Sequence, residues 1–302
     1  MTPYLKMESS KNKNVGVNMC YKPIQIYDKN TDSYIKASCR HCLECMQVRA
    51  NEWALRGHFE LLEHKENCFI TLTYANNPVR LHKEHMQLFI KRLRKSLPKD
   101  KKIKYFSCGE YGDQQMRPHY HIIIFGHDFD DKRFVKMSKS DIPIYESKQL
   151  NKLWEYGITT LQNANVNTIR YSALYSTKLK QDLPENLKKY PEFNTMSQNL
   201  GIESILKNMD TYIKTDQIYL DGFAYMIPNI ILQKYYIKKY GLVDHKNVID
   251  INGEQITQYT TYLDYVQEYK TERNFRYNSK EQLLIRERLS QKKLLHTKLR
   301  QL

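Results

Sequence analysis

The chain has 302 residues, with 48 Lys and Arg against 33 Asp and Glu, giving a formal net charge of +15. Its 41% apolar content supports a real core and excludes a disordered polycation, and no apolar run reaches the length of about 18 residues that a membrane span needs. An excess of positive charge on this scale points to a polyanionic partner, nucleic acid before an acidic membrane surface. The polar N-terminal stretch lacks the apolar segment of a secretory signal. Six cysteines, three of them clustered, point to metal and a reducing compartment rather than a disulfide framework.

Residues 1–38 are polar and turn-rich, with strand-like stretches such as residues 21–27. Cys39, Cys42 and Cys45 follow as C-x2-C-x2-C, and Cys20 can supply a fourth thiolate. Four such ligands suit a tetrahedral structural zinc, which would staple a segment with little core of its own. Free thiols and an iron–sulfur cluster are the alternatives, and His41 is a substitute ligand. Residues 50–66 read as a helix with Trp53, Leu55, Phe59 and Leu62 as its apolar residues. Residues 67–78, "NCFITLTYANNP", read as a buried strand that Asn-Asn-Pro ends. The segment 82–98 is an amphipathic helix with Met86, Phe89, Ile90, Leu93 and Leu97 as its stripe. Lys91, Arg92, Arg94 and Lys95 lie largely off that stripe, as candidate phosphate contacts, and Pro98 stops the helix.

Two strands follow, residues 102–112 and 117–126, joined by the polar turn "GDQQM" into a hairpin. Residues 147–157 form a helix, 158–162 a strand, and 165–181 a helix opened by an Asn cap. Strand pairs mixed with helices indicate an α+β fold, a central antiparallel sheet with helices on one side. Beyond residue 180 the pattern weakens. Residues 184–203 are mostly loop-like, residues 204–240 are helical in parts, residues 242–266 hold a hairpin around "INGEQ", and residues 278–302 are a basic helix. Cys68 and Cys108 fall in strands and read as small core residues.

The stretch "RPHYHIIIFG" carries the first chemistry. On a strand, His119 and His121 face the same way, roughly 6–7 Å apart. Ile122 and Ile124 face the other side, while Ile123 and Phe125 continue the histidine face inward. A strand apolar on both faces is a central one, so the two imidazoles mark where a buried sheet opens to a site. Glu110 on the preceding strand offers a carboxylate, with Asp113 as the alternative. Two imidazoles and one carboxylate leave positions open on a catalytic divalent ion.

The second constellation is "RYSALYSTKLK". Tyr171 and Tyr175 are four residues apart and Lys178 lies one further turn along, so the three form a stripe beside the apolar residues Ile169, Ala173, Leu174 and Thr177. A phenol is a poor nucleophile near neutral pH, and a nearby ammonium or metal ion helps it react as phenolate. Lys178 can also steady charge on a phosphate. Together the two constellations suit a metal-assisted transesterase in which a tyrosine attacks a DNA phosphate.

"CRHCLEC", "FITLTYANNP", "CGEYGDQQMRPHYHIIIFG", "LWEYGITT", "RYSALYSTKLK" and "YPEFNTMSQNLGIES" run in the order found in one family. On these motifs the chain resembles the His-hydrophobic-His (HUH) endonucleases, and more closely the replication initiators of gokushovirus-type microviruses. The resemblance covers roughly residues 39–205. It implies an HUH-like, RRM-like core over residues 51–240, with a Cys-rich segment at 1–50 and a basic, partly helical extension at 241–302. It implies rolling-circle replication: origin nicking, a 5′-phosphotyrosine, a free 3′-OH and strand transfer to close the product. The family's paired tyrosines fall on Tyr171 and Tyr175 and its metal histidines on His119 and His121, with Mg2+ or Mn2+ as the ion. Single-stranded and origin DNA are the implied partners, and the cytoplasm of a bacterial host is the implied location. The chain has no Gly-x-x-x-x-Gly-Lys-Ser/Thr loop, so helicase and polymerase would come from the host. A non-catalytic zinc-bearing DNA-binding protein and an HUH transposase or relaxase are the competing readings.

Overall fold

In the computed structural model, described residues are 20–28, 33–76, 78, 80–112, 115–138, 141–175, 183–220, 223–241, 243–249, 255–261, 264–266 and 268–269. In chain order, a hairpin of β1 (Ile24–Asp28) and β2 (Ser33–Ala37) precedes the long helix α1 (Leu43–Glu63). Next come β3 (Asn67–Tyr74), α2 (Lys83–Ser96), β4 (Lys104–Tyr111), β5 (Pro118–Phe125), β6 (Arg133–Met137) and β7 (Pro143–Glu146). They are followed by α3 (Lys148–Leu153), β8 (Gly157–Asn163), α4 (Val166–Tyr175), β9 (Phe193–Met196) and α5 (Ile202–Leu206). The remaining elements are α6 (Met209–Thr215), β10 (Ile218–Leu220), β11 (Phe223–Tyr225), α7 (Asn229–Tyr240), β12 (Val243–Ile249) and β13 (Gln255–Thr261). The chain divides into two compact units, Met46–Lys207 on one side and Met1–Cys45 with Asn208–Leu302 on the other.

The first unit is built on a seven-stranded antiparallel sheet in the order β6-β7-β8-β3-β5-β4-β9. This is the expected α+β architecture. Strand β5 sits between β3 and β4 because it is apolar on both sides: Ile122, Ile123, Ile124 and Phe125 are all fully buried. Each such side chain contributes about 1.5–3 kcal/mol of burial. The helices, however, lie on both faces rather than one. Cys68, Ile70 and Leu72 of β3 and Ile122 and Ile124 of β5 pack with Met86, Phe89, Ile90 and Leu93 of α2. Phe69 of β3 and Ile123 and Phe125 of β5 pack with Ala54 of α1 and Ile169 of α4. A sheet with two apolar faces has to be covered twice.

Helix α1 starts seven residues before the expected position, at Leu43, and its inner face differs from the expected one. Leu55 and Phe59 are buried, but Leu62 is 64% exposed, and Arg56, His58 and Glu60 are buried instead. Arg56 and Glu60 tie down the segment after β9. Arg56 Nε donates to Leu200 O at 2.9 Å and the Gly201 N–H donates to Glu60 Oε2 at 2.7 Å. Gly201 has φ +67 and a Cβ there would lie 1.9 Å from Arg56 O, so only glycine fits. Strands β6, β7 and β9 are additions to the expected order. They are short, and β6 is exposed along its whole length with Arg133 and Lys136 on it, as suits a sheet edge.

Tyr120 fixes the entry to α2. Its hydroxyl accepts from the His82 N–H and donates to His82 O, both at 2.9 Å, and lies 2.7 Å from Tyr74 Oη. His82 caps α2 without a side-chain hydrogen bond, so this buried phenol does the tethering. Along α2, Leu97 is only partly buried while the other four stripe residues are buried, and Lys91, Arg94 and Lys95 are exposed. Arg92 instead pairs with Glu155 at 2.7 Å.

In the second unit, residues 208–240 are helical in parts, with the small hairpin β10–β11 between α6 and α7. The hairpin expected around residues 251–255 is formed by β12 and β13. The expected basic helix at 278–302 lies outside the described residues.

Tyr120→Phe removes the hydroxyl while keeping the ring, leaving the His82 N–H and carbonyl without that partner. A loss of about 1–3 kcal/mol is expected, read as a lower urea midpoint with an unchanged m value. An unchanged midpoint would show that the tether is dispensable.

Candidate metal and tyrosine site

Strand register assembles the site. Glu110 of β4 stands directly opposite His119 of β5, and Thr71 of β3 stands opposite His121. Residues opposite each other in a sheet point to the same face, and His119 and His121 are two apart on one strand. The register therefore brings Glu110, His119, His121 and Thr71 to one patch, and one ligand atom from each of Glu110, His119 and His121 lies within 4.8 Å of the others.

The hydrogen bonds orient these ligands. His119 Nδ1–H donates to the Arg117 carbonyl at 3.1 Å, which turns Nε2 toward Glu110 Oε1 at 2.7 Å. His121 Nδ1 lies 3.0 Å from Thr71 Oγ1, and its Nε2 lies 3.2 Å from the same Glu110 oxygen. With each Nδ1 engaged, each neutral imidazole presents its Nε2 lone pair to one point, the arrangement that metal-ligating histidines use. Phe69 stacks on His121 with ring centroids 5.3 Å apart and planes 14° apart, fixing the ring from below.

Burial alone would raise the Glu110 pKa, but the bonds from His119 and His121 outweigh it and hold the group at about 2. Glu110 is thus a carboxylate at neutral pH, although only 3% of it is exposed. Its second oxygen, Oε2, is buried and has no hydrogen-bond partner among the described residues. A buried anionic oxygen without a donor is costly unless a cation meets it. One carboxylate and two imidazoles fit a divalent ion of the Mg2+, Mn2+ or other first-row type.

Helix α4 carries the tyrosines. The Asn cap is present as a reciprocal box: the Thr168 N–H donates to Asn165 Oδ1 at 3.0 Å, and the Asn165 N–H donates to Thr168 Oγ1 at 2.9 Å. Ile169, Ser172 and Ala173 are buried, whereas Tyr171 is 41% exposed, so the tyrosine lies beside the buried stripe as expected. Gly57 lets α4 approach α1 closely, since a Cβ there would lie 2.7 Å from Ile169 Cγ2. The Tyr171 ring meets the His121 ring edge-on at 5.4 Å. The structure therefore brings Glu110, His119, His121 and Tyr171 together. Tyr175 is the last residue of α4, with its side chain outside what is described, and Lys178 and Asp113 are outside the described residues altogether. Thr71 and Phe69, which set the His121 ring, are not singled out by local sequence pattern. Their only signal is alternation along β3.

The four cysteines form a second cluster. Cys20, Cys39, Cys42 and Cys45 all have Sγ atoms within 4.8 Å of one another. The Cys39–Cys45 and Cys42–Cys20 sulfurs are 3.9 and 3.8 Å apart. Tetrahedral zinc–sulfur bonds of about 2.3 Å place sulfurs about 3.8 Å from each other. The Cys42 N–H donates to Cys39 Sγ and the Cys39 N–H to Cys20 Sγ, both at 3.3 Å. The backbone N–H of His41 holds the Cys39 thiol at about 6, helped by that of Cys42, while burial pushes Cys42 and Cys45 up. His41 thus acts through its backbone, and its imidazole is not part of the cluster.

Millimolar Mn2+ is expected to raise the melting temperature of the wild-type protein, because an ion that binds only the folded site stabilises it. The increment should shrink between about pH 7.5 and about pH 5.5, as both imidazoles take up protons that compete with the ion. Differential scanning fluorimetry of wild type and His121→Ala checks this. An equal rise in the variant would place the ion elsewhere.

Comparison with known proteins adds a family. Residues 67–180, from β3 to beyond α4, match the family described as replication-associated protein ORF2/gene II protein. The chain is similar to replication-associated protein ORF4 of Chlamydia phage 1, 33% identical over 204 residues, which are 63% of this chain and 51% of that protein. It is similar to replication-associated protein ORF2 of Spiroplasma virus 4, 29% identical over 256 residues, 80% of this chain and 76% of that protein. It is also similar to replication-associated protein VP4 of Bdellovibrio phage phiMH2K, 32% identical over 149 residues, 46% of this chain and 47% of that protein. The chain spans about half the length of the first and third of these relatives. No solved structure matches it. Among the described residues no helix is long and apolar enough to cross a membrane. Residues 67–180 contain β3, β4, β5 and α4, every element that builds the Glu110–His119–His121–Tyr171 patch, and the chain is a replication-associated protein of the microvirus type.

Proposed function

We propose that this protein starts rolling-circle replication by cutting one strand of an origin through Tyr171 and later rejoining it. The observation that carries this reading is the 5.4 Å approach of the Tyr171 ring to His121, on the sheet face that gathers Glu110 and His119. A nucleophile beside a divalent-ion site has few other uses. Glu110, His119 and His121 would hold Mg2+ or Mn2+, which supplies Lewis-acid polarisation of a phosphate oxygen. Thr71 and the Arg117 carbonyl keep the two imidazoles in the ligating tautomer. Tyr171 Oη attacks the phosphorus in line; the P–Oη bond forms as the P–O3′ bond breaks. The phenol proton ends, on balance, on the released 3′-hydroxyl. The product is a 5′-phosphotyrosine and a free 3′ primer end.

In this reading Tyr175, one helix turn or about 6 Å further along, is the second nucleophile, and Lys178 steadies the charge of phenolate and phosphate. After the first cut one tyrosine is occupied. The second cut needs another, after which the new 3′-OH attacks the first phosphotyrosine and closes the circle. Cys20, Cys39, Cys42 and Cys45 hold a structural zinc. The substrates are single-stranded and origin DNA, and helicase and polymerase come from the bacterial host, in whose cytoplasm the protein acts.

Each single Tyr→Phe variant is expected to keep some first-cut activity and to lose circle closure, and the double variant to form no covalent adduct that survives boiling in detergent. Peptide mapping of the adduct reads the outcome. An adduct that maps to one tyrosine alone, with the other variant still closing circles, would reduce the second tyrosine to a packing role.

Cys42→Ser is expected to lower bound zinc and the melting temperature more than it lowers single-turnover cleavage. Metal analysis of the purified protein decides: no zinc in wild type and an unchanged melting temperature in the variant would remove the structural site.

A further inference from the structure

Arg117 stands next to the site, and so far only its carbonyl has a role. It is half-buried, just ahead of β5. Pro118 follows, which holds Arg117 in extended backbone. Residues 117 and 119 therefore alternate in phase, and the Arg117 side chain leaves from the same side and the same sheet end as His119. Its Nη2 donates to Tyr74 O, the carbonyl at the end of β3. Its Nε is buried and has no hydrogen-bond partner among the described residues. No ion pair neutralises it among those residues either, although other arginines of the unit, Arg56, Arg92 and Arg133, all face carboxylates. A half-buried guanidinium with an unused buried donor is costly where it sits, and the missing partner has to be an anion.

We infer that Arg117 grips the phosphate on which Tyr171 acts, by hydrogen-bonding a non-bridging oxygen. This rests on the proposed nicking reaction for its substrate, but the charge argument is separate. Glu110 contributes one negative charge, the imidazoles none and a divalent ion two positive charges, so the loaded site carries one net positive charge. A phosphodiester brings one negative charge and gains a second as phenolate oxygen adds. The surplus negative charge in that state is what an additional fixed cation would neutralise. Arginine suits this better than lysine, since its planar fork can hold two oxygens of one phosphate and stays charged at any working pH.

The test begins without metal. Binding of a fluorescein-labelled 15-mer of thymidylate is followed by anisotropy in chelator, across a salt series, for wild type, Arg117→Gln and Arg117→Lys. Arg117→Gln should weaken binding and lower the slope of log affinity against log salt by about 0.7, one single-strand phosphate contact. Arg117→Lys should regain the slope. In single-turnover cleavage of single-stranded DNA from the parent circular genome, Arg117→Gln should lose about 100-fold or more, and Arg117→Lys should recover only part because the fork is gone. The Mn2+ increment in melting temperature should be unchanged in both variants. Unaltered affinity and slope in Arg117→Gln would overturn the phosphate role, and so would loss of the Mn2+ increment, which would make Arg117 a support for His119. If the slope falls as expected while wild type cuts no DNA, the phosphate grip stands and the nicking reading fails.

Discussion

The cross-strand pair of Glu110 with His119 is the constraint on which the rest of the site depends. It exists because β4 and β5 form a hairpin whose register sets those two residues opposite each other. A slip of one residue would send Glu110 to the face of Ile122 and Ile124 and bury a carboxylate among α2 side chains. The apolar faces forbid the slip, since it would also turn Phe106 and Ile123 away from the cluster they share with Ala54 and Ile169. The hydrophobic effect thus fixes the polar geometry. The same register sets Thr71 opposite His121 from the other neighbouring strand, so one ligand is oriented from each side of β5.

The two faces of the sheet divide the work. On the α2 face the buried polar atoms serve only the fold: Tyr74, Tyr120 and the His82 backbone satisfy one another. On the α1 and α4 face the apolar cluster stops at Ile123, and the next positions outward on β5 are His121 and His119. The carboxylate between them keeps an oxygen without a donor among the described residues. Natural folds leave such groups uncompensated where function requires them. Helix α4 then lies across β4 and β5, anchored by Ile169 and its Asn165–Thr168 box, which sets the rotation that brings Tyr171 to His121.

What is legible in the sequence follows from this. β3, β4, β5, α2 and the start of α4 can be read because their signals are local: runs of β-branched residues, a helical stripe, a cap. His119, His121 and Glu110 are legible for the same reason, two by alternation and one by standing on the adjoining strand. The helix layer on the second face is implied by "HIIIF", apolar on both sides, yet strand and helix order alone does not say which helix covers which face. β6 and β9 carry too few apolar residues to be read as strands, because each pairs along one edge only. Leu62 reads as an inward residue and is exposed, while Arg56 and Glu60 read as outward and are buried, because their partners, Leu200 and Gly201, lie more than 140 residues away. Thr71 escapes for a similar reason: its role is a cross-strand contact with a residue 50 positions on.

That distant clamp bears on the site as well. Gly201 and Leu200 follow β9, which pairs with β4, the strand that carries Glu110. Arg56 and Glu60 hold the segment after β9 against α1, and Glu60 also takes Lys104 of β4 at 2.9 Å. Three elements, α1, β4 and the β9 extension, are therefore fixed to one buried carboxylate, and Ile169 of α4 packs against the same α1 helix at Gly57. The strand bearing the acidic ligand and the helix bearing Tyr171 share α1 as a common support. A nucleophile on a helix and an ion site on a sheet have to be held to a fraction of an ångström for in-line attack, and here one helix, through Gly57 on one side and Glu60 on the other, supports both.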